Sequence, residues 1–305
     1  MRLTAPTALL VLFAATVSGA ESPARLRVPY EMFRLANGLT VIVHEDHSVP
    51  IATVNTWYHV GSSRERTGRT GLAHFFEHLM FEGSKNVPEG QFDRWLEAVG
   101  GSNNASTTED RTNYYEDVPA SAIELPLFLE SDRMAYLLDT MTPERVDGQR
   151  DVVKNERRQT EENAPYGMSD IYLNHALYPA DHPYHWPVIG YMEDLTAASS
   201  EDIADFFRRF YAPSNACVVV AGDVDPKQVR AMAEKWFGDV PAGAPVPPMG
   251  TRPVRLDAET RLVYEDRVQL PRLYLRWPTP PSLSPGDGAL DALAAVLAGG
   301  KNARL

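Results

Sequence analysis

The sequence predicts an α+β protein, in which helices pack on one face of a largely antiparallel sheet. An Asn-Gly turn followed by alternating apolar residues over residues 33–46 indicates a β-hairpin. Residues 71–81 instead repeat their apolar side chains at helical spacing. Strands and helices then follow in mixed order, without the regular alternation that builds a parallel α/β sheet.

The remaining elements follow in chain order. β-Branched and aromatic residues predict a strand over residues 51–62 and a central strand over residues 215–224, and residues 102–119 read as two polar strands. Helical periodicity, together with Pro near helix starts and Gly near helix ends, predicts helices at about residues 88–99, 121–139, 143–162, 168–177, 200–210 and 226–237.

The C-terminal part of the chain differs in composition. Pro and Gly dominate the stretch that begins at residue 240, so we expect a domain over residues 21–239 and a linker over residues 240–258. Residues 259–305 predict two strands, between residues 260 and 281, followed by a helix. These few elements cannot bury a core of their own, so we expect the beginning of a second, incomplete domain.

The N-terminus has the features of a secretory signal peptide. Arg2 precedes a short apolar run over residues 8–17, and the small residues Ser18 and Ala20 follow it. We therefore expect a signal peptide over residues 1–20, with cleavage after Ala20 and a periplasmic or secreted protein. The apolar run is too short for stable membrane insertion, although an N-terminal anchor is the alternative.

Bulk composition excludes some classes of partner and site. The formal net charge of −12 argues against nucleic acid or an anionic membrane as the main partner. The single cysteine, Cys217, cannot form an intramolecular disulfide, and we expect it to be a small core residue of the central strand. Cysteine therefore offers neither a zinc site nor a nucleophile.

The stretch GLAHFFEHLMFEGS, residues 71–84, carries the strongest candidate for chemistry. Because residues four apart share one face of a helix, His74 and His78 can direct their imidazoles at a common position, and such imidazoles are suitable zinc ligands. Glu77 lies at the edge of that position, where it could take a proton from water without being a ligand. The alternative is an amphipathic helix with a chance H-x-x-E-H match, and the motif alone does not decide.

A zinc site of this kind needs a third ligand from elsewhere in the chain. The strongest candidate is Glu156, in the predicted helix over residues 143–162. Composition does not distinguish it from Glu161 and Glu162, which we expect to face solvent. Other histidines are competitors that we expect to be structural or exposed: His44, His47, His59, His175, His182 and His185.

Several segments in order make the interpretation more specific. They are ANGLTVIVHED, GLAHFFEHLMFEGS, GGSNNASTTEDRTNYYEDVP, QRDVVKNERRQ, HPYHWPVIGYMEDL, RRFYAPSNACVVVAGDVDP and LAGGKNARL. Together they resemble the pitrilysin or insulinase family of zinc peptidases (peptidase M16), especially its bacterial members related to the mitochondrial processing peptidase. The likeness covers nearly all of the chain after residue 20.

The resemblance implies roles for particular residues. The family's zinc ligands fall on His74, His78 and Glu156, and its general base falls on Glu77. A supporting acidic residue of the family falls on Gln149, which can hydrogen-bond but carries no charge.

The resemblance also implies how substrate is held, as a strand added along a sheet edge. That edge falls on SNNAST, with Asn104 and Ala105 as candidates for backbone contact. Strand addition suits broad specificity for peptides or unfolded polypeptides, because it reads backbone more than side chains.

The activity that the resemblance implies is zinc-dependent hydrolysis of peptide bonds, with one Zn²⁺ per site and Glu77 taking and later delivering a proton. Family members build the active chamber from two homologous halves, so a C-terminal half or a homologous subunit is the expected partner. Two alternatives stay open. One is a non-catalytic partner or peptide-binding scaffold. The other is an exported metal-dependent esterase, which SNNAST disfavours because a small ester needs no strand addition.

Overall fold

A computed structural model describes residues 27–305, so the predicted signal peptide over residues 1–20 lies outside the described residues. The described strands are β1 (Glu31–Arg34), β2 (Thr40–Glu45), β3 (Ile51–Tyr58), β4 (Ser102–Thr107), β5 (Thr112–Pro119) and β6 (Ala216–Gly222). The described α-helices are α1 (Leu72–Leu79), α2 (Gln91–Ala98), α3 (Glu124–Tyr136), α4 (Pro143–Arg157), α5 (Ser169–Leu177), α6 (Met192–Ala197), α7 (Ser200–Phe210), α8 (Pro226–Phe237) and α9 (Asp287–Ala298).

The six strands form one sheet in the order β1-β2-β6-β3-β5-β4. The pair β2–β6 is parallel, with Val41 opposite Val218, and the other neighbouring pairs are antiparallel. The predicted α+β class with a largely antiparallel sheet is therefore confirmed, as is the hairpin, in which β1 pairs with β2 across the Asn-Gly turn.

One face of the sheet is buried and the other is only partly covered. Along β3 and β6, residues such as Val54 and Val220 are fully buried while their neighbours are intermediate or exposed. The buried face belongs to one cluster with apolar residues of α1, α3, α4, α7 and α8, so these helices cover it. Cys217 lies on the other face and is half-buried, which corrects its expected place in the core.

Local sequence explains where several helices begin. Ser199 and Asp202 form a reciprocal capping box at the start of α7. The Asp225 side chain accepts two backbone N–H groups at the start of α8, whose first residue is Pro226. The helix predicted over residues 143–162 continues from α4 into one π-helical turn, Arg158–Glu162.

The two strands predicted between residues 260 and 281 are wrong, because the described structure has no strand there. A strand needs a neighbour to take up its backbone hydrogen bonds and a layer to cover its apolar face. This segment has neither within residues 27–305, and Leu273 is 82% exposed. The predicted helix near the C-terminus is present as α9.

Residues 240–258 form no helix or strand, yet they lie against the sheet unit. Arg64 donates to the Pro247 carbonyl at 2.8 Å, and His182 Nε2 lies 2.9 Å from the Arg252 carbonyl. None of the helices among residues 27–305 is long and apolar enough to cross a bilayer.

Candidate metal centre

The first part of the site is one face of α1. This helix begins after Gly71, whose left-handed backbone (φ 87°) starts the turn. Its apolar face is buried in the core through Leu72, Phe75, Phe76 and Leu79. The opposite face carries His74, Glu77 and His78, each half-buried, and the two imidazole centroids are 4.9 Å apart.

Glu156, on the last turn of α4, completes the cluster. Its Oε1 lies 3.7 Å from His74 Nε2, and its Oε2 lies 3.1 Å from His78 Nε2. Potential ligand atoms of these three residues all lie within 4.8 Å of one another. Among residues 27–305, no other group of three or more His, Cys, Asp or Glu side chains meets this condition.

The electrostatic state of the cluster suits a cation. Burial lowers the pKa of His74 to about 4, so its imidazole is neutral at pH 7 and has a lone pair to offer. The adjacent His78 side chain lowers the pKa of Glu156, which keeps that carboxylate charged. Within the described chain, His74 Nδ1 is buried without a hydrogen-bond partner, which is uncommon for a buried polar atom.

These residues fit zinc. Two imidazoles and one carboxylate form a common three-residue set that leaves a fourth position open. Ligands about 2.1 Å from a tetrahedral centre lie about 3.4 Å apart, and the two nitrogen–oxygen distances to Glu156, 3.7 and 3.1 Å, bracket that value.

Glu77 stands beside the cluster, held by the neighbouring edge strand. Thr107 of β4 donates its hydroxyl to Glu77 Oε2 at 2.5 Å, which leaves Oε1 available. Burial raises the pKa of Glu77, and the Thr107 hydrogen bond partly offsets that rise. A half-buried carboxylate with a raised pKa is suited to take up and return a proton.

Gln149 lies two turns before Glu156 on α4, and its side chain contacts the segment after α1 rather than the cluster. Its side-chain amide donates to Glu82, just beyond the C-terminal end of α1. Burial raises the pKa of Glu82, and the neighbouring Glu89 raises it further. The polar contact expected at position 149 is therefore made with a carboxylate that the sequence interpretation did not name.

Asn104 and Ala105 lie on β4, the last strand of the sheet, in register with Tyr115 and Tyr114 of β5. The Ala105 backbone N–H donates to the Asn104 side chain, Oδ1, at 2.8 Å. Because β4 pairs only with β5 within the described residues, its other edge can accept a strand.

The competing candidates are engaged elsewhere. Glu162 accepts from Arg157 at 3.2 Å, and Glu161 is outside the cluster. Each of five competing histidines places a ring nitrogen near another group: Pro29 for His44, Glu45 and Asp223 for His47, Tyr191 for His175, Arg252 for His182 and Tyr178 for His185. His59 is outside the cluster, and its backbone carbonyl accepts a hydrogen bond from the Asn215 side-chain amide.

Two residues at the site were missed from sequence. Thr107 is the last residue of the expected substrate edge, SNNAST, and only the crossing of β4 over α1 places its hydroxyl on Glu77. Glu82 lies three residues past the end of α1, and only the packing of α4 beside that end shows its contact with Gln149.

The fold and site together define a class, an open α+β sheet domain with a candidate metal centre. Two family models match the chain: "Insulinase (Peptidase family M16)" over residues 40–179, and "Peptidase M16 inactive domain" over residues 197–305. The chain belongs to peptidase family M16, which confirms the resemblance seen in its sequence.

Named relatives agree with this assignment. The chain is 34% identical over 296 residues to the zinc protease PqqE of Helicobacter pylori, which covers 94% of this chain and 65% of the relative. It is 30% identical over 246 residues to the mitochondrial-processing peptidase subunit beta of Blastocladiella emersonii, covering 80% of this chain and 52% of the relative.

A solved structure gives the same picture for the fold. The crystal structure of a protease from Helicobacter pylori matches 74% of this chain and 54% of its own, at 32% identity and a TM-score of 0.70. This chain therefore spans about two thirds or less of the length of these relatives.

Proposed function

We propose that this chain carries the catalytic half of a zinc metalloendopeptidase that hydrolyses peptide bonds. The observation that carries the proposal is the convergence of His74, His78 and Glu156 from two helices, with Glu77 beside them. A zinc ion bound by those three ligands would polarise the scissile carbonyl and make a water molecule more acidic.

The residues of the chain would handle substrate and proton. Glu77 Oε1 takes a proton from the attacking water and later delivers it to the leaving amine, while Thr107 holds Oε2. The raised pKa of Glu77 brings the carboxyl closer to the pH at which both transfers are efficient.

An extended peptide would bind as a seventh strand beside β4. The Ala105 N–H then donates to a substrate carbonyl, after the Asn104 side chain leaves the position that it occupies on that N–H. Because such pairing reads backbone, we expect peptides and unfolded polypeptides of varied sequence to be substrates.

The second half of the active chamber would come from a complementary M16 half, on a longer chain or on a partner subunit. Large apolar side chains of the C-terminal segment are exposed and would be covered by it, among them Val263, Leu270, Leu273, Leu275 and Trp277. Burying such side chains stabilises an assembly by about 25 cal/mol per Å² of apolar surface.

We also propose that the protein is exported to the periplasm or secreted. This rests on the predicted signal peptide over residues 1–20. A cleaved leader would give a mature N-terminus at Glu21, which mass spectrometry of the exported protein can detect.

The test combines metal analysis with hydrolysis of an unstructured peptide. The wild type should bind one zinc ion and cleave the peptide when the complementary half is supplied. Glu77→Gln should keep the zinc and lose at least 10²-fold in rate, the lower end of the usual contribution of a general base. Glu97→Gln, on an exposed position of α2, is the matched control and should be unchanged.

The runner-up is a non-catalytic peptide-binding partner, favoured by the match of residues 197–305 to an inactive domain. It predicts peptide binding with no cleavage under any pairing of halves. If the wild type binds no zinc, the proposed zinc peptidase activity is wrong.

A further inference from the structure

The two halves of the metal centre lie on different helices, and residues 189–198 touch both of them. We call these residues the bracket segment. They include α6 and the turn before it, with Gly190 in a left-handed conformation (φ 78°). The proposed function needs the imidazoles of α1 and the carboxylate of α4 at fixed separation, so whatever joins these helices determines the site.

On the α1 side, the bracket segment meets the start of the helix at van der Waals distance. A Cβ atom on Gly190 would lie 2.5 Å from Gly71 Cα, so only glycine fits there. Asp194 accepts from both the Thr70 backbone N–H, at 3.1 Å, and the Thr70 hydroxyl, at 2.6 Å. Tyr191 donates its backbone N–H to the same hydroxyl at 3.0 Å.

On the α4 side, three basic side chains of one helix face bind the bracket segment. Arg150 donates to the Leu195 and Ala198 carbonyls, and Lys154 donates to the Thr196 hydroxyl at 3.0 Å. Arg157 donates to the Gly190 carbonyl and, at 3.2 Å, to Glu162. The spacing of four and then three residues places all three on one face.

Arg157 makes the contact that matters most for the ligand. It follows Glu156 directly and is only 6% exposed, and it binds Gly190, which packs against Gly71, the residue just before the metal-binding helix. A chain of direct contacts therefore links Glu156 to the helix of His74 through Arg157, Gly190 and Gly71.

We infer that Arg157 is a positioning residue, which sets the place of Glu156 relative to His74 and His78 by holding α4 on the bracket segment. This inference rests on the proposed zinc site. Loss of outer contacts at metal sites commonly weakens metal affinity by about 10–100-fold, and we expect a loss at the lower end because Arg157 acts through the backbone.

If Arg157 acted only through its charge, its removal would change the zinc affinity in the opposite direction. Arg157 carries a positive charge one residue from Glu156, so removing that charge would favour a bound cation. It would also free the Glu162 carboxylate. Tighter zinc binding without Arg157 would therefore indicate an electrostatic role alone, whereas weaker binding indicates lost positioning.

The test measures zinc affinity of the full chain by competition with a chromophoric chelator, and the visible spectrum of the Co²⁺ form. Arg157→Met should weaken zinc binding by about tenfold and change the Co²⁺ spectrum, which responds to ligand geometry. Arg158→Met is the matched control. Within the described residues, the side chain of that neighbouring arginine hydrogen-bonds only to Asn155, one turn earlier, and its loss should leave both readouts unchanged.

The outcomes separate this inference from the proposed function. A wild type that binds no zinc contradicts the metal site itself. A zinc-binding wild type with equal affinity and spectrum in folded Arg157→Met overturns the role of Arg157. If Arg157→Met does not fold, Arg157→Lys decides: lysine keeps the charge but cannot bind Gly190 and Glu162 with a guanidinium fork, so unchanged affinity and spectrum also overturn it.

Discussion

Residues 27–240 and residues 259–305 contain similar apolar side chains that reach different environments. In the first region, Val54 and Val220 of the sheet are 0% exposed. In the second, Val263 is 93% exposed and Leu273 82% exposed. Both regions contain β-branched and aromatic residues in runs that predict strands.

The difference teaches that a strand pattern is a conditional signal. In the first region, each strand finds a neighbour for its backbone and helices for its apolar face. The second region instead contacts the sheet unit through polar and aromatic surface pairs, such as Arg276 with Asp170 and Tyr264 stacked on Tyr172. A local pattern gives a segment suitable side chains, but contacts with distant parts of the chain determine whether that segment joins a sheet.

The largest expected contrast is between a buried and an exposed ion pair. Arg133 is 1% exposed and binds Glu116 and Glu130, both fully buried. Arg133→Met should cost about 3–5 kcal/mol of unfolding free energy, because it leaves the two carboxyls buried and unpaired. Arg276→Met, in the second region, should cost about 0–1 kcal/mol.

Urea unfolding of both variants checks this prediction. Burial raises the pKa of Glu116, so lowering the pH should reduce the cost of Arg133→Met as that carboxyl protonates. Equal costs for the two variants would mean that the regions do not differ in burial as described.

A purely apolar pair of substitutions sharpens the same comparison. Phe237, on α8, is fully buried, whereas Leu273 is 82% exposed. Phe237→Ala should destabilise the fold by about 3–5 kcal/mol through lost burial and a cavity. Leu273→Ala should stay within about 0.5 kcal/mol.

Thermal and urea unfolding of the full chain measure both apolar variants. A cost above about 1.5 kcal/mol for Leu273→Ala, which exceeds the usual effect of a surface change, would show that the second region buries this side chain in solution.

The smallest expected effect comes from a Gln→Glu substitution, compared at one position in each region. Gln149→Glu sets a second carboxylate against Glu82, whose pKa burial already raises. Each of the two carboxyls then has a folded-state pKa above its unfolded value, so stability is retained below the unfolded pKa and lost as pH rises through the folded pKa. A further rise of about one pKa unit corresponds to about 1.4 kcal/mol.

Gln269→Glu is the matched control, because Gln269 is exposed in the second region. The unfolding free energy of the metal-free protein, followed from pH 4 to pH 8, should fall more steeply for Gln149→Glu than for wild type. Parallel pH profiles for the two variants would indicate that Glu82 and Gln149 are not in contact.

Much of the fold was predictable because its signals are local. The hairpin at residues 33–46 follows from a turn that two residues specify, and α7 begins where Ser199 and Asp202 cap each other. The pairing of His74 with His78 also follows from helix geometry alone. In contrast, the strands predicted between residues 260 and 281 required partners that a local pattern cannot guarantee.

The site could be predicted only in part. Spacing within α1 nominated two imidazoles and Glu77, but it could not choose Glu156 over Glu161 or Glu162, which lie on the same charged segment. Thr107 and Arg157 carried no signal of their own, since a threonine on a polar strand and an arginine on a charged helix are common. Their roles depend on what each one meets across the fold.

The sequence by itself determined the fold class, the helix that presents two imidazoles and a carboxylate, and the membership in peptidase family M16. These properties depend on periodicity and on residues close together in the chain. Only the tertiary structure decided that Glu156 reaches the imidazoles, that Thr107 holds Glu77, and that Gly190 packs on Gly71. Those contacts join residues far apart in sequence, and the packing of α4, β4 and the bracket segment around α1 brings them together.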